Sequence, residues 1–137
     1  MSYLLDTNIL SELTRTAPHK SVLQWFKMVP NEALHISVLT LGELRSVIDK
    51  LTGTPRKEKL RLWLEIELPA WFQERILPIN EHVADRWGRL QTEVRRTLPA
   101  IDSLIAATAL HYDLRVVTRN EKDFKYSSLE VINPWKI

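Results

Sequence analysis

The sequence contains no cysteine and only three glycines, and these shortages exclude several kinds of site. Without cysteine there is neither a disulfide nor a thiolate metal site. The three glycines form no phosphate-binding loop, no dinucleotide-binding fingerprint and no Gly-x-Ser-x-Gly elbow. The four histidines include no pair spaced four residues apart, so a helical zinc site is not predicted.

Long apolar runs and a targeting segment are also missing. No apolar stretch approaches the length that spans a membrane, and the first residues reach Asp6 without a basic leader. We therefore expect a cytoplasmic protein that does not contact a membrane. The length of 137 residues and the apolar fraction of 45% predict one globular domain over residues 1–137.

The positive charge is small but unevenly distributed. The net charge is +2 and the pI is near 9.0, which is compatible with a nucleic-acid partner without indicating one. Basic residues cluster in two places, which are Arg56, Lys57, Lys59 and Arg61 and then Arg86, Arg89, Arg95 and Arg96. Each cluster is also typical of a solvated helix face.

Apolar runs and helical periodicities alternate along the chain. Short apolar runs predict strands over residues 3–5, 34–39, 76–79, 115–118 and 129–132, with Pro78 placing the third strand at a sheet edge. Helical spacing predicts helices over residues 8–15, 19–29, 40–51, 56–72, 81–98 and 100–111, with Pro69 kinking or ending the fourth helix. This alternation predicts an α/β fold with a mainly parallel sheet.

Four carboxylates fall at one predicted edge of this sheet. Asp6 directly follows the first strand and Asp123 follows the fourth, while Glu43 and Asp102 lie near the starts of helices. In a parallel sheet, the starts of the helices and the carboxyl ends of the strands share an edge, and α/β proteins bind ligands there. We therefore expect Asp6, Glu43, Asp102 and Asp123 to converge in space.

Each of these acids also has an ordinary local explanation. Asp6 fits an N-cap or Asx turn, and Thr40 with Glu43 fits a capping box. Asp102 suits the positive end of a helix dipole, and Asp123 suits a solvated loop. These explanations account for the acids one at a time and do not explain why all four fall on one edge.

A divalent cation would reconcile four acids in one cleft. Clustered carboxylates raise one another's pKa, and a bound cation removes their repulsion. Mg²⁺ prefers oxygen ligands and usually keeps several waters. It polarises a phosphate oxygen and lowers the pKa of an attacking water, and two ions about 3.5–4 Å apart can clamp the attacking and leaving oxygens. The converging acids therefore predict a Mg²⁺ site suited to phosphate chemistry.

Four blocks of the sequence resemble PIN-domain proteins in their order and spacing. They are Leu4–Asn8, Ser37–Leu44, Asp102–Ala109 and Val117–Phe124, and the closing Asn133–Trp135 also fits. Within that family the chain resembles VapC-type toxins of type II toxin–antitoxin pairs, including the FitB-like branch. The resemblance covers essentially the whole chain, so it implies a single PIN domain over residues 1–137.

The resemblance implies a fold, an activity and a set of partners. The implied fold is a three-layer α/β sandwich with about five mostly parallel strands flanked by helices. The implied activity is endonucleolytic cleavage of RNA, with transfer RNA or ribosomal RNA as substrate and Mg²⁺ as cofactor, for which Mn²⁺ can substitute. The implied partners are a second copy of the chain in a homodimer and a VapB-type antitoxin protein, with hetero-oligomers of the two bound to operator DNA.

The resemblance also assigns roles to individual residues. Asp6, Glu43 and Asp102 match three core acids, and Thr7 matches a hydroxyl that orients a metal water or a phosphate. Asn120 stands where many relatives carry an acid, and other relatives use the acid at the position of Asp123, so either can complete the site around one or two metal ions. The predicted catalytic and metal-binding residues are Asp6, Glu43, Asp102 and Asp123, supported by Thr7 and Asn120.

Basic side chains near the acids are expected to guide the RNA backbone, and Arg45 and Arg119 lie nearest to the acids in sequence. Two other functions remain open, which are a structure-specific DNA nuclease of the PIN/flap type and a PIN domain that binds a partner without turnover. The small size of the chain favours RNA over DNA, and the complete core set of acids favours an active enzyme. The five tryptophans are expected in the core or at a subunit interface.

Overall fold

The structure is a computed structural model that describes residues 1–137. Its strands are β1 (Tyr3–Leu5), β2 (Leu34–Ser37), β3 (Ile76–Leu77), β4 (Arg115–Val117) and β5 (Val131–Ile132). Its helices are α1 (Thr7–Leu13), α2 (Lys20–Met28), α3 (Val38–Asp49), α4 (Thr54–Leu62), α5 (Leu68–Phe72), α6 (Glu81–Glu93) and α7 (Ala100–Tyr112). Short 3₁₀ helices lie at Asn31–Ala33, Gln73–Arg75, Glu121–Phe124 and Pro134–Lys136.

The five strands form one parallel sheet in the order β3-β2-β1-β4-β5. The α/β prediction is therefore confirmed, and β3, which ends just before Pro78, lies at an edge as predicted. The first strand along the chain, β1, is the central strand, with β2 on one side and β4 on the other. The order of the strands reverses at β1, which is where open α/β sheets form their ligand clefts.

Successive residues of each strand supply two separate cores. Leu4 and Val116 point to the face covered by α6 and α7, whereas Leu5 and Val117 point to the face covered by α1 to α5. All four side chains are fully buried. Because side chains alternate along a strand, a short run of apolar residues can serve both faces at once. The predicted three-layer sandwich is confirmed.

Two helix boundaries differ from the sequence prediction for identifiable reasons. The second strand ends at Ser37, whose hydroxyl accepts a hydrogen bond from the Leu39 N–H at 3.1 Å and so caps α3. The helix therefore begins at Val38, two residues earlier than predicted. The predicted single helix over residues 56–72 widens into a π turn at Trp63–Glu67, which is followed by α5 with Pro69 in its first turn.

No helix of the protein combines the length and the apolar character needed to cross a membrane.

Candidate active site

Asp6 emerges from the carboxyl end of the central strand, as predicted. Its backbone N–H donates to the Val117 carbonyl at 3.0 Å, which continues the pairing of β1 with β4 by one residue. Its carboxylate Oδ1 accepts from the Thr7 N–H at 2.8 Å, so Asp6 is also the N-cap of α1. The local explanation of Asp6 is therefore correct, but this bond uses only one of its two oxygens.

The second oxygen of Asp6 is held by a buried hydroxyl. Thr118, which is fully buried, donates its Oγ1–H to Asp6 Oδ2 at 2.8 Å. The same Oγ1 accepts from the Asn8 side-chain amide at 3.2 Å and from the Asn120 N–H at 3.0 Å. Thr118 thereby joins the carboxyl end of β1 to the turn after β4 and fixes the orientation of the Asp6 carboxylate.

Glu43 is positioned by a contact between two helices rather than by a capping box. The capping-box prediction for Thr40 and Glu43 is wrong, because Ser37 caps α3 and leaves Glu43 in the second turn. The carboxylate of Glu43 instead accepts a short hydrogen bond from the hydroxyl of Thr7 on α1. Thr7 thus sits beside two of the predicted acids, since its N–H bonds Asp6 and its hydroxyl bonds Glu43.

Asp102 and Asp123 approach the same place from the other side of the sheet edge. Asp102 lies in the first turn of α7, and Asp123 lies in the 3₁₀ helix that follows β4. Burial raises the pKa of Asp102 to about 6, and the charges of Asp6, Asp123 and Glu43 contribute to this rise. The charges of Asp6, Asp123 and Glu43 therefore act on Asp102 at this edge of the sheet.

The pKa of Asp6 shows the same repulsion. Burial raises the pKa of Asp6 above its ordinary value, and the charges of Glu43 and Asp123 add to the rise. The hydrogen bonds from Thr118 and Thr7 oppose this rise, because they stabilise the ionised form. The chain therefore holds a carboxylate in a position where both burial and neighbouring charge disfavour ionisation.

The largest cavity of the protein, about 500 Å³, is a cleft at this edge. Five of the six predicted site residues line it, and they are Asp6, Thr7, Glu43, Asp102 and Asn120. Asp123 does not line the cleft, although its charge is felt by Asp6 and Asp102. The opposite wall is apolar and includes Leu51, Leu60 and Trp63.

The basic residues of the cleft are only partly those nearest to the acids in sequence. Arg119 lines the cleft, together with Arg15 and Arg56. Arg45 lies outside it and forms ion pairs with Glu65 at 2.8 Å and with Asp49 at 3.7 Å. The rotation of α3 about its axis places Glu43 toward the cleft and Arg45 away from it, because residues two apart on a helix do not share a face.

The donor set fits Mg²⁺ in its chemistry, although the acids do not form a closed cage. No group of three histidine, aspartate or glutamate side chains is arranged to hold one ion between them. Mg²⁺ does not require such a group, since it commonly binds through one or two carboxylates and keeps several waters. Carboxylates that repel one another in an open cleft suit that mode of binding.

Asp102 is expected to destabilise the metal-free protein at neutral pH. Since its folded pKa is raised to about 6, its contribution to stability is fully present below about pH 4 and is lost as the pH rises through 6. Asp102→Asn should therefore raise the free energy of unfolding at pH 7 by about 1 kcal/mol, or about 3 °C in Tm, after allowance for solvent screening of a partly exposed group.

Thermal unfolding in EDTA at pH 4 and at pH 7 measures this effect. We expect Asp102→Asn to match the wild type at pH 4 and to exceed it at pH 7. Asp85→Asn removes an exposed acid that pairs with Arg89 on α6, and it serves as the control. An Asp102→Asn variant that is no more stable than the wild type at pH 7 would contradict the raised pKa.

Thr118 is expected to contribute to stability through its hydroxyl. Thr118→Val keeps the shape of the side chain but leaves Asp6 Oδ2, the Asn8 amide and the Asn120 N–H with one partner fewer. We expect a loss of about 2 kcal/mol in the free energy of unfolding. Thr108→Val is the matched control, because Thr108 is equally buried and its hydroxyl bonds only the Leu104 carbonyl of its own helix. Equal stability of the two variants in urea unfolding would show that the network around Thr118 adds nothing.

The fold and the cleft together define a class of protein. The chain is an α/β protein with an acidic cleft at the point where the strand order of a parallel sheet reverses. The model of the PIN domain family matches residues 3–127. The chain therefore belongs to the PIN domain family, in the group that contains toxin FitB and the VapC ribonucleases.

Known proteins of this group match the chain over nearly its full length. VapC ribonuclease Y4jK of Sinorhizobium fredii is 30% identical, and the alignment covers 97% of each chain. The FitAcB crystal structure from Neisseria gonorrhoeae superposes with a TM-score of 0.92 at 33% identity, covering 98% of this chain and 99% of that one. A toxin–antitoxin complex from Klebsiella pneumoniae contains a chain that superposes with a TM-score of 0.73 at 29% identity, covering 99% of this chain and all of that one.

Several residues of the site have roles that the sequence analysis did not assign. Thr118 and Asn8 orient Asp6, Arg56 lines the cleft, and Trp135 lies against Arg119. Thr118 and Asn8 belong to the blocks that resemble PIN domains, and this was the only signal that pointed to them. Arg56 belongs to the first basic cluster and Trp135 to the closing segment Asn133–Trp135, but neither signal distinguishes a residue at the cleft from a surface arginine or a core tryptophan.

Proposed function

We propose that the protein is a Mg²⁺-dependent endoribonuclease that hydrolyses phosphodiester bonds of RNA and acts as the toxin of a toxin–antitoxin pair. The observation that carries the proposal is the cleft that Asp6, Glu43 and Asp102 line together, where neighbouring charges, including that of Asp123, raise the pKa of Asp6 and Asp102. Such repulsion is tolerated where a cation is to be bound. The ribonuclease name of the Sinorhizobium relative supports the choice of RNA.

Some residues of the site would bind the metal, and others would orient those metal-binding residues. Mg²⁺, or Mn²⁺ in its place, would be held by one or two of Asp6, Glu43 and Asp102 directly and by the others through its waters, with Asp123 and Asn120 nearest to a second position. When bound there, the metal would polarise a phosphate oxygen and lower the pKa of an attacking water. Thr118 and Thr7 keep Asp6 and Glu43 in fixed orientations, so that little reorganisation is needed on binding.

Arginines at the rim would provide the attraction for RNA that the acids oppose. Arg15, Arg56 and Arg119 line the same cleft as Asp6, Glu43 and Asp102. A phosphate backbone can therefore approach the acids while its charge faces guanidinium groups. The bound divalent cation and the arginines together reverse the local sign of the charge, because the acids alone would repel a polyanion.

Cleavage mapping on total cellular RNA tests this proposal. We expect the purified protein to cut specific RNAs in Mg²⁺, to lose this activity in EDTA, and to regain it when excess Mg²⁺ or Mn²⁺ is added. Structured RNA and flapped DNA are compared in parallel, since preferred cleavage of the DNA would favour the structure-specific DNA nuclease. Absence of cleavage on both substrates, with no binding of Mg²⁺ by calorimetry, would favour a partner-binding domain without turnover.

We propose further that the chain forms a homodimer and is inhibited by a VapB-type antitoxin, as a cytoplasmic pair that binds operator DNA. The structural relative from Klebsiella is a toxin–antitoxin complex, and its matching chain covers 99% of this chain. Co-expression with a VapB-type antitoxin, followed by light scattering and an operator gel shift, measures the assembly. A chain that stays monomeric and binds no such antitoxin would contradict this part.

A further inference from the structure

Arg119 has no anionic partner although three of the four predicted acids line the same cleft. Arg119 is exposed and lines the cleft with Asp6, Glu43 and Asp102. Arg45 and Arg15 form ion pairs with Glu65 and Glu12, whereas Arg56, which also lines the cleft, forms none. The guanidinium of Arg119 forms no ion pair and no hydrogen bond, and only its backbone N–H and carbonyl are bonded.

The carboxylate of Glu12 also lines the cleft, and its bonds are supplied by other groups. Glu12 is buried and accepts from the His19 N–H at 2.8 Å and from Arg15 at 3.4 Å. Although burial raises the pKa of Glu12, these bonds and the more distant charge of Arg119 bring the pKa below its ordinary value. The hydrogen-bonding capacity of the Arg119 guanidinium therefore remains free.

The aromatic ring of Trp135 holds Arg119 in place. The guanidinium carbon lies 5.2 Å from the centre of the indole ring, which is the geometry of a cation–π contact. Trp135 is itself partly buried and packs against the core on the side of α1 to α5. A planar guanidinium on an aromatic face keeps its N–H groups available at the edge, which is the arrangement that binds phosphate.

Hydrogen bonds of the C-terminal segment connect Trp135 to the turn that carries Arg119. Asn133 is buried, and its side-chain amide donates to the Arg119 carbonyl at 3.5 Å and to Glu121 Oε2 at 3.1 Å. Its side-chain oxygen accepts from the Trp135 N–H at 3.0 Å, and Lys136 pairs with Glu121 at 2.7 Å. The turn is bonded on its other side as well, where the Arg119 N–H donates to Asn8 Oδ1 at 3.2 Å.

We propose that Arg119, supported by Trp135, binds a phosphate of the RNA chain next to the bond that is cut. Arg119 is then a substrate-binding residue, and Trp135 is a positioning residue that acts through it. The inference rests on the proposed ribonuclease function, and it names one side chain that gives the cleft its attraction for a polyanion. It also gives the segment Asn133–Lys136 a role in substrate binding, although none of the four acids lies in it.

RNA binding in an Asp6→Asn background, which separates binding from cleavage, tests the role of Arg119. Fluorescence anisotropy with a labelled oligoribonucleotide in Mg²⁺ gives Kd over a range of salt concentrations. We expect Arg119→Met to raise Kd about tenfold and to reduce the slope of log Kd against log salt by about one. Arg45→Met removes the same charge from an ion-paired arginine outside the cleft, and it should change neither quantity. Equal Kd values and slopes for Arg119→Met and Arg45→Met would overturn the proposal.

Variants of Trp135 test whether the ring acts through Arg119. We expect Trp135→Leu to raise KM about threefold with kcat nearly unchanged, and Trp135→Phe to restore KM, because a phenyl ring still accepts a cation on its face. Combining Trp135→Leu with Arg119→Met should weaken RNA binding no further than Arg119→Met alone. A purely structural tryptophan would instead lower Tm and give additive effects on Kd, and that result would refute the positioning role.

Failure of the role proposed for Arg119 and failure of the ribonuclease proposal give different experimental results. If the wild type cleaves RNA and Arg119→Met has the same KM and Kd as the wild type, the role of Arg119 is overturned. The ribonuclease proposal then still stands. A wild-type protein that neither binds nor cleaves RNA would overturn the ribonuclease proposal itself.

Discussion

Asp6→Asn is expected to lower the rate of RNA cleavage by about a thousandfold or more while leaving the fold intact. The substitution removes one negative charge from the centre of the acid cluster and keeps the size of the side chain. Loss of a residue that only supports a metal ligand typically lowers metal affinity or activity about 10–100-fold. Loss of the ligand itself should lower activity more. The fold should tolerate the change, because the ionised Asp6 carboxylate is disfavoured by burial and by neighbouring charge.

The measurement combines initial rates of cleavage in Mg²⁺ with thermal unfolding of the same preparations. Asp85→Asn makes the same chemical change on the exposed surface of α6, and it should keep the full cleavage rate. We expect the Tm of Asp6→Asn to stay within a few degrees of the wild type, so that lost activity cannot be attributed to unfolding. If Asp6→Asn cleaved RNA at the rate of Asp85→Asn, the assignment of the metal-binding acids would be refuted.

Phe124→Ala is expected to have the largest effect on stability. Phe124 is fully buried, and its ring packs in the core between the sheet and α6 and α7. Truncation of a buried phenylalanine to alanine lowers the free energy of unfolding by about 3–5 kcal/mol, because the burial of the apolar ring is lost and a cavity remains. For a domain of this size we expect Tm to fall by about 10 °C or more.

The effect of Phe124→Ala should extend to the site. Phe124 ends the 3₁₀ helix Glu121–Phe124, which contains Asp123 and follows the turn with Arg119 and Asn120. Because the phenyl ring anchors this helix to the core, its loss should reduce cleavage even at temperatures well below Tm. Phe124→Leu should keep most of the stability and most of the cleavage rate. Leu62→Ala, at an exposed position on α4, should change neither the stability nor the cleavage rate. Unaltered cleavage by a folded Phe124→Ala protein would show that the helix does not need this anchor.

Patterns that are local in sequence were the ones that could be predicted. The run Tyr3–Leu5 followed by Asp6 identified a strand and the residue at its carboxyl end, and both were correct. The same reasoning failed for Thr40 and Glu43, because a capping box and a helix that starts two residues earlier at Val38 give almost the same sequence pattern. Tertiary packing selected Ser37 as the cap and left the Thr40 hydroxyl buried without a partner.

Contacts between distant residues could not be read from any local pattern. Arg45 and Arg119 are each close in sequence to an acid, yet only Arg119 lines the cleft. The difference depends on the rotation of α3 and on the position of Trp135 at the far end of the chain. Residues 56–72 were likewise predicted as one helix, whereas packing of Leu64 and Leu68 against the core accompanies a π turn within this segment.

The sequence by itself determined the class of fold and singled out the candidate acids, because a strand's apolar run and the acid that follows it are adjacent in the chain. The tertiary structure decided how these acids are held and what faces them. Thr118 lies 112 residues from Asp6, and Thr7 lies 36 residues from Glu43, yet each donates a hydrogen bond to its acid. Such bonds depend on strand order and helix rotation, which arise only when the whole core packs.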